Sequence, residues 1–565
     1  MSRLFSTGLS GLSVARTALA ATAQNTANVY TEGYSRQKVV IQANPAKATI
    51  GGFLGAGARV TSVQRSYDDF LAAQLSRATS SAAGLETYAT QISRLDNLLA
   101  DRDSGLAALM QKFFTGVQGV ADTPADAAAR QEMLSTAEAL AGKFRSVDQY
   151  LTDLNASLNE QIAGSVSQVN AIATQVASLN RQISQLSAAT GGQPPNDLLD
   201  TRDKLVNDLS KLIDVAVVKQ DGGQYNLFVG SGQTLVLGDR TATMAAVTSA
   251  ADPTRKAVAL VGVDGQPIEL RDGEIGGGAL GGVLAFRSQS LVGTRNSIGR
   301  LATVLAAKFN EQHASGVDLR GDPGGDFFRL SGPQVYRDTR STNPDPLQFT
   351  AAIGDAGALT TSDYRVQIKE TGGVPAFSFS VTRLSDGRQV DFAPAVADPS
   401  APGSITFDGI ELSWASGTPQ AGDSFLVVPT RYAARNFDVA VTDPVKIAAG
   451  FPPANAGDPS GSSDGRNALA LVALQRATLV GGAATLNGAY ARLVSEVGNK
   501  TMEVEVAFTS QSSLAGQIRA SLDSVAGVNQ DEETANLLQY QQMYQANAKV
   551  IQAASTMFDT ILGLR

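Results

Sequence analysis

Fourteen apolar side chains between Leu140 and Leu186 recur at steps of three and four: Leu140, Phe144, Val147, Leu151, Leu154, Leu158, Ile162, Val166, Val169, Ile172, Val176, Leu179, Ile183 and Leu186. No Gly-Pro cluster interrupts this near-heptad rhythm until Gly191 to Pro195. Such a segment is one helix, and at 1.5 Å per residue it extends about 70 Å. A helix of that length cannot cover its own stripe, so the chain must supply helices to lie along it. The stretches near Leu85 to Leu99, Leu106 to Val120 and Ala468 to Val506 are the partners on offer for coiled-coil packing.

Both chain ends carry stripes of the same kind. Phe5, Leu9, Leu12, Ala15, Leu19, Ala23 and Ala27 advance by three or four, as do Leu537, Tyr540, Tyr544, Ala548, Ile551, Ala554, Phe558 and Ile561. Asn529 is placed to cap the second helix, with Asp531, Glu532 and Glu533 in its first turn, where the helix dipole favours carboxylates. Residues 1–50 hold five basic and one acidic side chain (+4), residues 520–565 two basic and five acidic (−3), so the ends attract. Tyr544, Ile551 and Phe558 stand seven apart and are expected, once subunits assemble, to be buried together against the first helix or a neighbouring subunit. Ala15, Ala23 and Ala27 permit close approach but bury little area, so the ends are expected to order on assembly.

From about Ile213 the texture changes to short β-rich runs, Val215 to Val218, Tyr225 to Val229 and Thr234 to Leu237. It returns at Ser378 to Val381, Ser404 to Phe407 and Ser424 to Val428, with turn signals at Asp386-Gly387 and Asp408-Gly409. Leu284 to His313 reads as a helix between the two β regions. The sequence therefore predicts a multidomain α+β chain: a long α-helical coiled-coil rod formed from both chain ends, with inserted β-rich domains of sandwich or barrel type. Residues 1–50 with 520–565 form the terminal helical part, 51–212 with 284–330 and 430–519 the rod, and 213–283 and 349–429 the β-rich insertions.

Composition removes most chemistry. The chain has no Cys, which excludes disulfides, thiolate metal sites and thiol nucleophiles, and a single His, His313, read as a hydrogen-bonded residue at a helix end. A net charge of −8 without a clustered basic face excludes a nucleic-acid partner. The longest apolar run, Ala468 to Leu474, is far short of the roughly 18 residues that cross a bilayer, so no membrane insertion is expected. Ser6, Thr7, Gly8, Ser10 and Gly11 interrupt any cleaved signal peptide, so secretion needs another route.

Two motifs match only on paper. Gly276, Gly278 and Gly281 satisfy G-x-G-x-x-G without the strand before it or the acidic residue after it that a dinucleotide site needs, so they read as a connector and no cofactor is expected. Gly461 to Gly465 satisfies G-x-S-x-G around Ser463, but in a linker, and His313 precedes it, the reverse of the hydrolase order. Asp318, Asp322 and Asp326 lack the spacing and closing Glu of a calcium EF-hand, and the loop 316–326 reads as a cap on the preceding helix.

The segment Asn25-Thr-Ala-Asn28-Val-Tyr30-Thr31-Glu32-Gly33-Tyr34-Ser35-Arg36-Gln37 resembles the N-terminal signature of bacterial flagellar rod, hook and hook-associated proteins. Its Ser-Arg-Gln extension is similar to the hook-associated protein 1 family in particular; Glu32 stands where the family often has Pro. Asp531 to Ile551 resembles that family's terminal helix, and a third match runs from Gly282 through Phe309, Asn310 and His313 to Phe327-Phe328.

The resemblance implies a structural subunit, not an enzyme, that joins the flagellar hook to the filament. It implies export unfolded through the flagellar type III apparatus, uncleaved, to the extracellular flagellum. Implied partners are other copies of the chain in a ring-like axial layer, the hook protein, the next junction protein towards the filament, and a cytosolic export chaperone on the C-terminal helix. The assembly residues it points to are Leu9, Leu12, Leu19, Asn25, Asn28, Thr31, Gly33, Tyr34 and Arg36, with Leu537, Tyr540, Tyr544, Ile551, Phe558 and Ile561. The competing reading is a secreted, adhesin-like surface-binding protein on a helical stalk. It requires an aromatic-lined β surface, for which the chain offers one tryptophan, Trp414.

Overall fold

The computed structural model describes residues 2–49, 52–101, 105–220, 222–262, 264–394, 397–452 and 462–563. Ten α-helices are present among them: α1 (Ser2–Ala27), α2 (Asp69–Leu99), α3 (Leu106–Asp122), α4 (Ala127–Ala189), α5 (Asn196–Leu212), α6 (Gly278–Phe286), α7 (Val292–Ala314), α8 (Arg466–Ala473), α9 (Leu486–Ala526) and α10 (Gln530–Leu562). A π-helical turn, Arg287–Leu291, joins α6 to α7, so the helix expected from Leu284 to His313 is continuous and begins a turn and a half earlier.

The long helix is 63 residues, about 95 Å. Asp126 caps it by accepting from Ala128 N–H, and the expected stripe is buried from Leu140 to Ile183, except for Ile172, which is half-buried, while Leu186 is exposed. α3 lies along its first half and α5 along its last turns, with α6 crossing between. Of the other expected partners, α2 pairs with α9 and α6 instead, and Ala468 to Val506 is two helices, α8 and α9. α2 makes its most extensive contact with α9, whereas it meets α6 at a close crossing set by small residues. At the α2–α6 crossing a Cβ on Gly282 would stand 2.2 Å from the Gly84 carbonyl, and one on Gly278 (φ +58°) would stand 2.2 Å from the Leu212 backbone. Within the Gly276 to Gly281 motif, Gly278 and Gly281 serve close backbone packing.

The first β region is two open antiparallel sheets. One joins Val215–Lys219, Tyr225–Val229, Gln233–Leu237 and Arg240–Thr241; the other joins Met244–Thr248, Lys256–Val261 and Pro267–Glu269. They rest on α4 rather than closing on each other, and amides of α4 hold their backbones. Asn180, fully buried, donates to the Tyr225 and Gly238 carbonyls and accepts from Tyr225 N–H; Asn170 exchanges two bonds with Met244. Polar positions on the long helix thus satisfy strand groups that would otherwise be buried unpaired.

The second β region does have two facing sheets. Five strands (Gln334–Arg337, Ser424–Val428, Tyr364–Glu370, Phe377–Arg383, Gln389–Val390) oppose three (Phe349–Ile353, Ile410–Trp414, Gly403–Phe407). Phe349, Phe379, Trp414 and Phe425 meet edge to face between them, with Phe349 and Phe425 ring centres 4.7 Å apart. Neither region closes into a barrel. Trp414 is core, its Nε1 donating to the Ala401 carbonyl at 2.7 Å, and not the exposed aromatic an adhesin surface would use. Asp408-Gly409 forms a two-residue turn with both residues at positive φ, as the sequence indicates.

This β unit is clamped to the rod at Arg431, 3% exposed, which binds Asp252 (Nη1 to Oδ2 2.6 Å) and Asp363. Asn296 on α7 donates to Asp363 Oδ1 and the Thr361 carbonyl, and accepts through its own carbonyl from Thr430 Oγ1. Nearby, Phe113, Phe309, Phe327 and Phe328 stack as one aromatic core, and the Asn310 side chain bonds both Phe327 and Phe328 backbones.

His313 is buried, its Nε2 accepting from Ala448 N–H at 2.9 Å and its Nδ1 donating to the Gly325 carbonyl at 2.7 Å. It fixes the loop after α7 as a neutral ring. Burial holds its pKa below the ordinary 6.5, against a smaller upward pull from the Gly325 bond. The unfolded chain therefore takes up a proton that the folded chain refuses, and stability is lost as pH falls below about 6.5. Urea titrations between pH 7.5 and 5 are expected to show this slope, and His313→Gln is expected to flatten it at a general cost in stability; an unchanged slope would contradict this role. Asp318 turns its carboxylate onto the backbone N–H groups of Arg320 and Asp322, inside its own loop. Ser463 lies in a turn that precedes α8.

No helix among the described residues is long and apolar enough to cross a membrane. An element the sequence reading missed is a β-arm in residues 37–65: β1 (Gln37–Ala43) pairs antiparallel with β4 (Ala58–Arg65), and β2 (Lys47–Thr49) with β3 (Gly52–Leu54) at its tip.

Candidate assembly site

The N-terminal signature is a knot where the terminal helices meet the rod. Asn25, at the end of α1 and 1% exposed, uses all its side-chain valences. Its Nδ2 donates to the Gln37 carbonyl (3.0 Å) and Glu533 Oε2 (3.1 Å), and its Oδ1 accepts from Tyr34 OH (2.8 Å) and Gln37 N–H (2.9 Å). Asn28 and Thr31 close the turn after α1: Thr31 donates through Oγ1 to Asn28 Oδ1 and through N–H to the Asn28 carbonyl. Gly33 (φ +84°) packs on the stem of Lys204 where a side chain would crowd it, and Glu32 pairs with Lys204 at 3.3 Å.

Arg36 then crosses to the other chain end. Its Nε reaches Glu533 Oε1 and its Nη1 Glu532 Oε2, both at 2.7 Å, and its N–H donates to the Ala526 carbonyl at the end of α9. Burial pulls the guanidinium pKa down, but bonds to the two glutamates outweigh it and raise the value. Burial, with Asp197, Asp200 and Glu533 nearby, pushes the Tyr34 hydroxyl well above its ordinary value, so it stays a donor to Asn25. The charge attraction read between the ends is thus carried by one arginine and two glutamates. Asn529 caps α10 as expected, accepting from the N–H groups of Asp531 and Glu532.

Sequence reasoning missed the rod's half of the knot. Asp200 on α5 accepts from Ser35 N–H (2.9 Å) and Arg65 Nη1 (2.8 Å), and Arg65 also pairs with Asp203 at 2.6 Å. These partners lie more than a hundred positions apart, and nothing local marks them.

From the knot α1 and α10 run antiparallel, with Asn25 opposite Glu533, Gly11 opposite Asn547 and Gly8 opposite Ile551. Gly8 and Gly11 of α1 lie against α10, and the buried positions of α1 are small or short side chains: Gly8, Val14, Ala15, Ala18, Ala21, Thr22 and Asn25. A Cβ on Gly11 would stand 2.2 Å from Asn547 Oδ1, and one on Gly8 would stand 2.9 Å from an Ile551 methylene. Where the sequence led us to expect ends that order only on assembly, the single chain has both helices formed, with Gly8 and Gly11 letting the Ile551 and Asn547 side chains reach the α1 backbone.

The apolar stripes read from the sequence are divided by that choice of face. Ile551, Tyr540 and Leu537 are half-buried towards α1, and Leu12 and Leu19 are half-buried, while Ala23 and Ala27 are exposed. Ile551 is therefore in part an intramolecular contact. In the single chain Tyr544 and Phe558 are more open than Ile551: Phe558 is 54% exposed and Tyr544 39%. With Leu9 at 52% and Phe5, Leu538, Val550, Met557 and Leu562 also open to solvent, the pair carries an apolar surface that this chain does not cover. The Ile561 side chain lies outside the described residues.

Residues 92–328 match the family described as the flagellar hook-associated protein FlgK helical domain, residues 336–429 the flagellar hook-associated protein 1 D2-like domain, and residues 523–564 the flagellar basal body rod FlgEFG protein C-terminal region. Flagellar hook-associated protein 1 of Salmonella typhimurium is 41% identical over 569 residues, covering the whole of both chains, and that of Escherichia coli is 39% identical over 566, again covering both. The solved structure of the flagellar hook junction protein FlgK from Burkholderia pseudomallei is similar with a TM-score of 0.73 at 30% identity, over 80% of this chain and 100% of that one.

Proposed function

The chain belongs to the flagellar hook-associated protein 1 family, and from that premise we propose that it is a structural subunit joining the flagellar hook to the filament through self-assembly of its terminal helices. The observation that carries this reading is the uncovered apolar surface on the α1–α10 pair, held to the rod by the Asn25 knot. A monomer exposing Leu9, Phe558 and Met557 on one helix pair has unburied area that only neighbours can cover.

In this reading the subunits form a ring-like layer whose neighbours are the hook protein on one side and the next junction protein on the other. Leu9, Tyr544 and Phe558 face neighbouring chains, while Leu12, Leu19, Leu537, Tyr540 and Ile551 brace the pair. Asn25, Asn28, Thr31, Gly33, Tyr34 and Arg36 set the angle between pair and rod. Residues 1–50 with 520–565 serve assembly, 51–212, 284–330 and 430–519 the rod, and 213–283 and 349–429 the β-rich exterior. The chain reaches the extracellular flagellum through the flagellar type III apparatus without cleavage, accompanied by a cytosolic chaperone on its C-terminal helix. Its role is structural rather than catalytic, consistent with His313 having both ring nitrogens tied to backbone. Imaging a strain that lacks the protein tests the reading: complete hooks without filaments are expected, and normal filaments would refute it.

A further inference from the structure

Beneath the knot lies a cavity of 470 Å³ bounded by the turn 32–35, the start of α2, α5, the strand 215–219 and the end of α9. Its wall is apolar at Leu75, Val206, Val217 and Leu522, yet Ser76 Oγ and Asn207 Oδ1 are buried there without a hydrogen-bond partner. Asp214 and Asp523 also line it and make no ion pair among the described residues, against Arg77 as the cation in the same position. Lys204, Lys219 and Arg519 are each already paired with a carboxylate. The cavity is thus short of donors and slightly acidic, and it suits an occupant that is apolar and cationic together.

This chain carries a segment of that chemistry. Between Gly33 and Ser66 it has Arg36, Lys38, Lys47, Arg59 and Arg65 and no Asp or Glu. The tip of this β-arm exposes Phe53 at 80% and Leu54 at 57%. The arm cannot fill its own chain's cavity. It starts at the knot, where Ser66 N–H bonds the Arg36 carbonyl, and runs back along α1 to Ser10, whose Oγ accepts from Ala58 N–H. Ser10 is fifteen residues before Asn25, which places the tip more than about 20 Å from the knot.

We infer that the cavity under the knot receives the Phe53–Leu54 tip of a second copy of this chain. The contact is heterologous, knob on one copy and hole on the next, so it propagates an array instead of closing a dimer, and the charge of Lys47, opposite Leu54 in the strand register, complements the acidic rim at Asp523. The inference rests on the assembly reading above and gives it a register.

The absence of cysteine makes the test specific. Gly55 has open space around it and Ala73 lines the cavity at the surface, so Gly55→Cys and Ala73→Cys are mild changes. The two purified full-length variants, mixed and added with mild oxidant to hooks from a strain lacking the protein, are expected to form a 55–73 disulfide dimer only on the hooks. Normal incorporation without that dimer overturns the inference and leaves the assembly reading standing; failure of the wild-type chain to incorporate would sink the assembly reading itself. In a second arm, Asp523→Lys is expected to lose at least tenfold in incorporation with an unchanged melting temperature, and Lys47→Glu in the same chain to restore it. Wild-type incorporation of Asp523→Lys, or no restoration, overturns the inference as well.

Discussion

Replacing Arg431 with methionine is expected to destabilise the junction of β unit and rod by about 3–5 kcal/mol at pH 7, the cost of removing one partner from a buried ionic cluster. The guanidinium is buried between Asp252, in the loop joining two strands that rest on α4, and Asp363, at the foot of the second β unit. Methionine keeps most of the volume but takes the shared guanidinium from both buried carboxylates, leaving Asp252 to Arg255 and Asp363 to the Asn296 amide. Burial raises the pKa of Asp252, yet Arg431 and then Arg255 outweigh this and hold it well below the usual carboxylate range. That contribution is present above about pH 3.8 and is lost as pH falls through the lower folded value. The gap between wild type and variant should therefore be full at pH 7 and shrink below pH 4. Paired denaturant titrations at the two pH values check this; equal gaps would mean that the loss is one of packing alone.

Asn25→Ala is expected to loosen the terminal pair without touching the rod. The change removes four hydrogen bonds and leaves the Gln37 backbone groups, the Tyr34 hydroxyl and Glu533 short of partners in a buried place. Each group stranded in this way costs about 1–3 kcal/mol, although Arg36 still holds Glu533 and water can reach part of the turn, so a net loss of about 3 kcal/mol is expected for the knot. Asn25→Asp keeps the shape but sets a second carboxylate about 3.1 Å from Glu533, and should fare no better at neutral pH. Hydrogen exchange resolves the effect: α1 and α10 lose protection while α4 keeps it. Equal loss across the chain would show that the knot is not a separate joint.

What could be read from the sequence follows from the range of the interactions involved. The stripe from Leu140 to Ile183 announces α4 because a 3.6-residue period is a local property, and Asp408-Gly409 announces its turn because positive φ at both residues is a local demand. Asn25, Tyr34 and Arg36 stand out as a motif, yet Asp200 completes the knot from 165 residues beyond Ser35 and 135 beyond Arg65, and no spacing rule reports that. The terminal stripes show the converse failure. Periodicity identified Leu9 and Phe558 as one face of each helix but not what covers that face, and an apolar count passes over Gly8 and Gly11, which decide how the helices meet. The β-arm escaped because its first strand is exposed along most of its length, so the alternation that marks a half-buried strand is absent.

The account turns on whether the uncovered stripe of the α1–α10 pair is an assembly surface, and the most direct measurement is the incorporation of Phe558→Asp protein into isolated hooks beside its own melting curve. Phe558 touches solvent in the single chain, so a carboxylate there should leave the melting temperature unchanged, whereas Ile551→Asp, against Gly8, should loosen the pair itself. Buried uncharged-for-charged exchange in an apolar seam costs several kcal/mol, and at 1.4 kcal/mol per decade this is at least a tenfold loss of incorporation. The account predicts that loss together with an unaltered melting curve. Full incorporation of Phe558→Asp would contradict it.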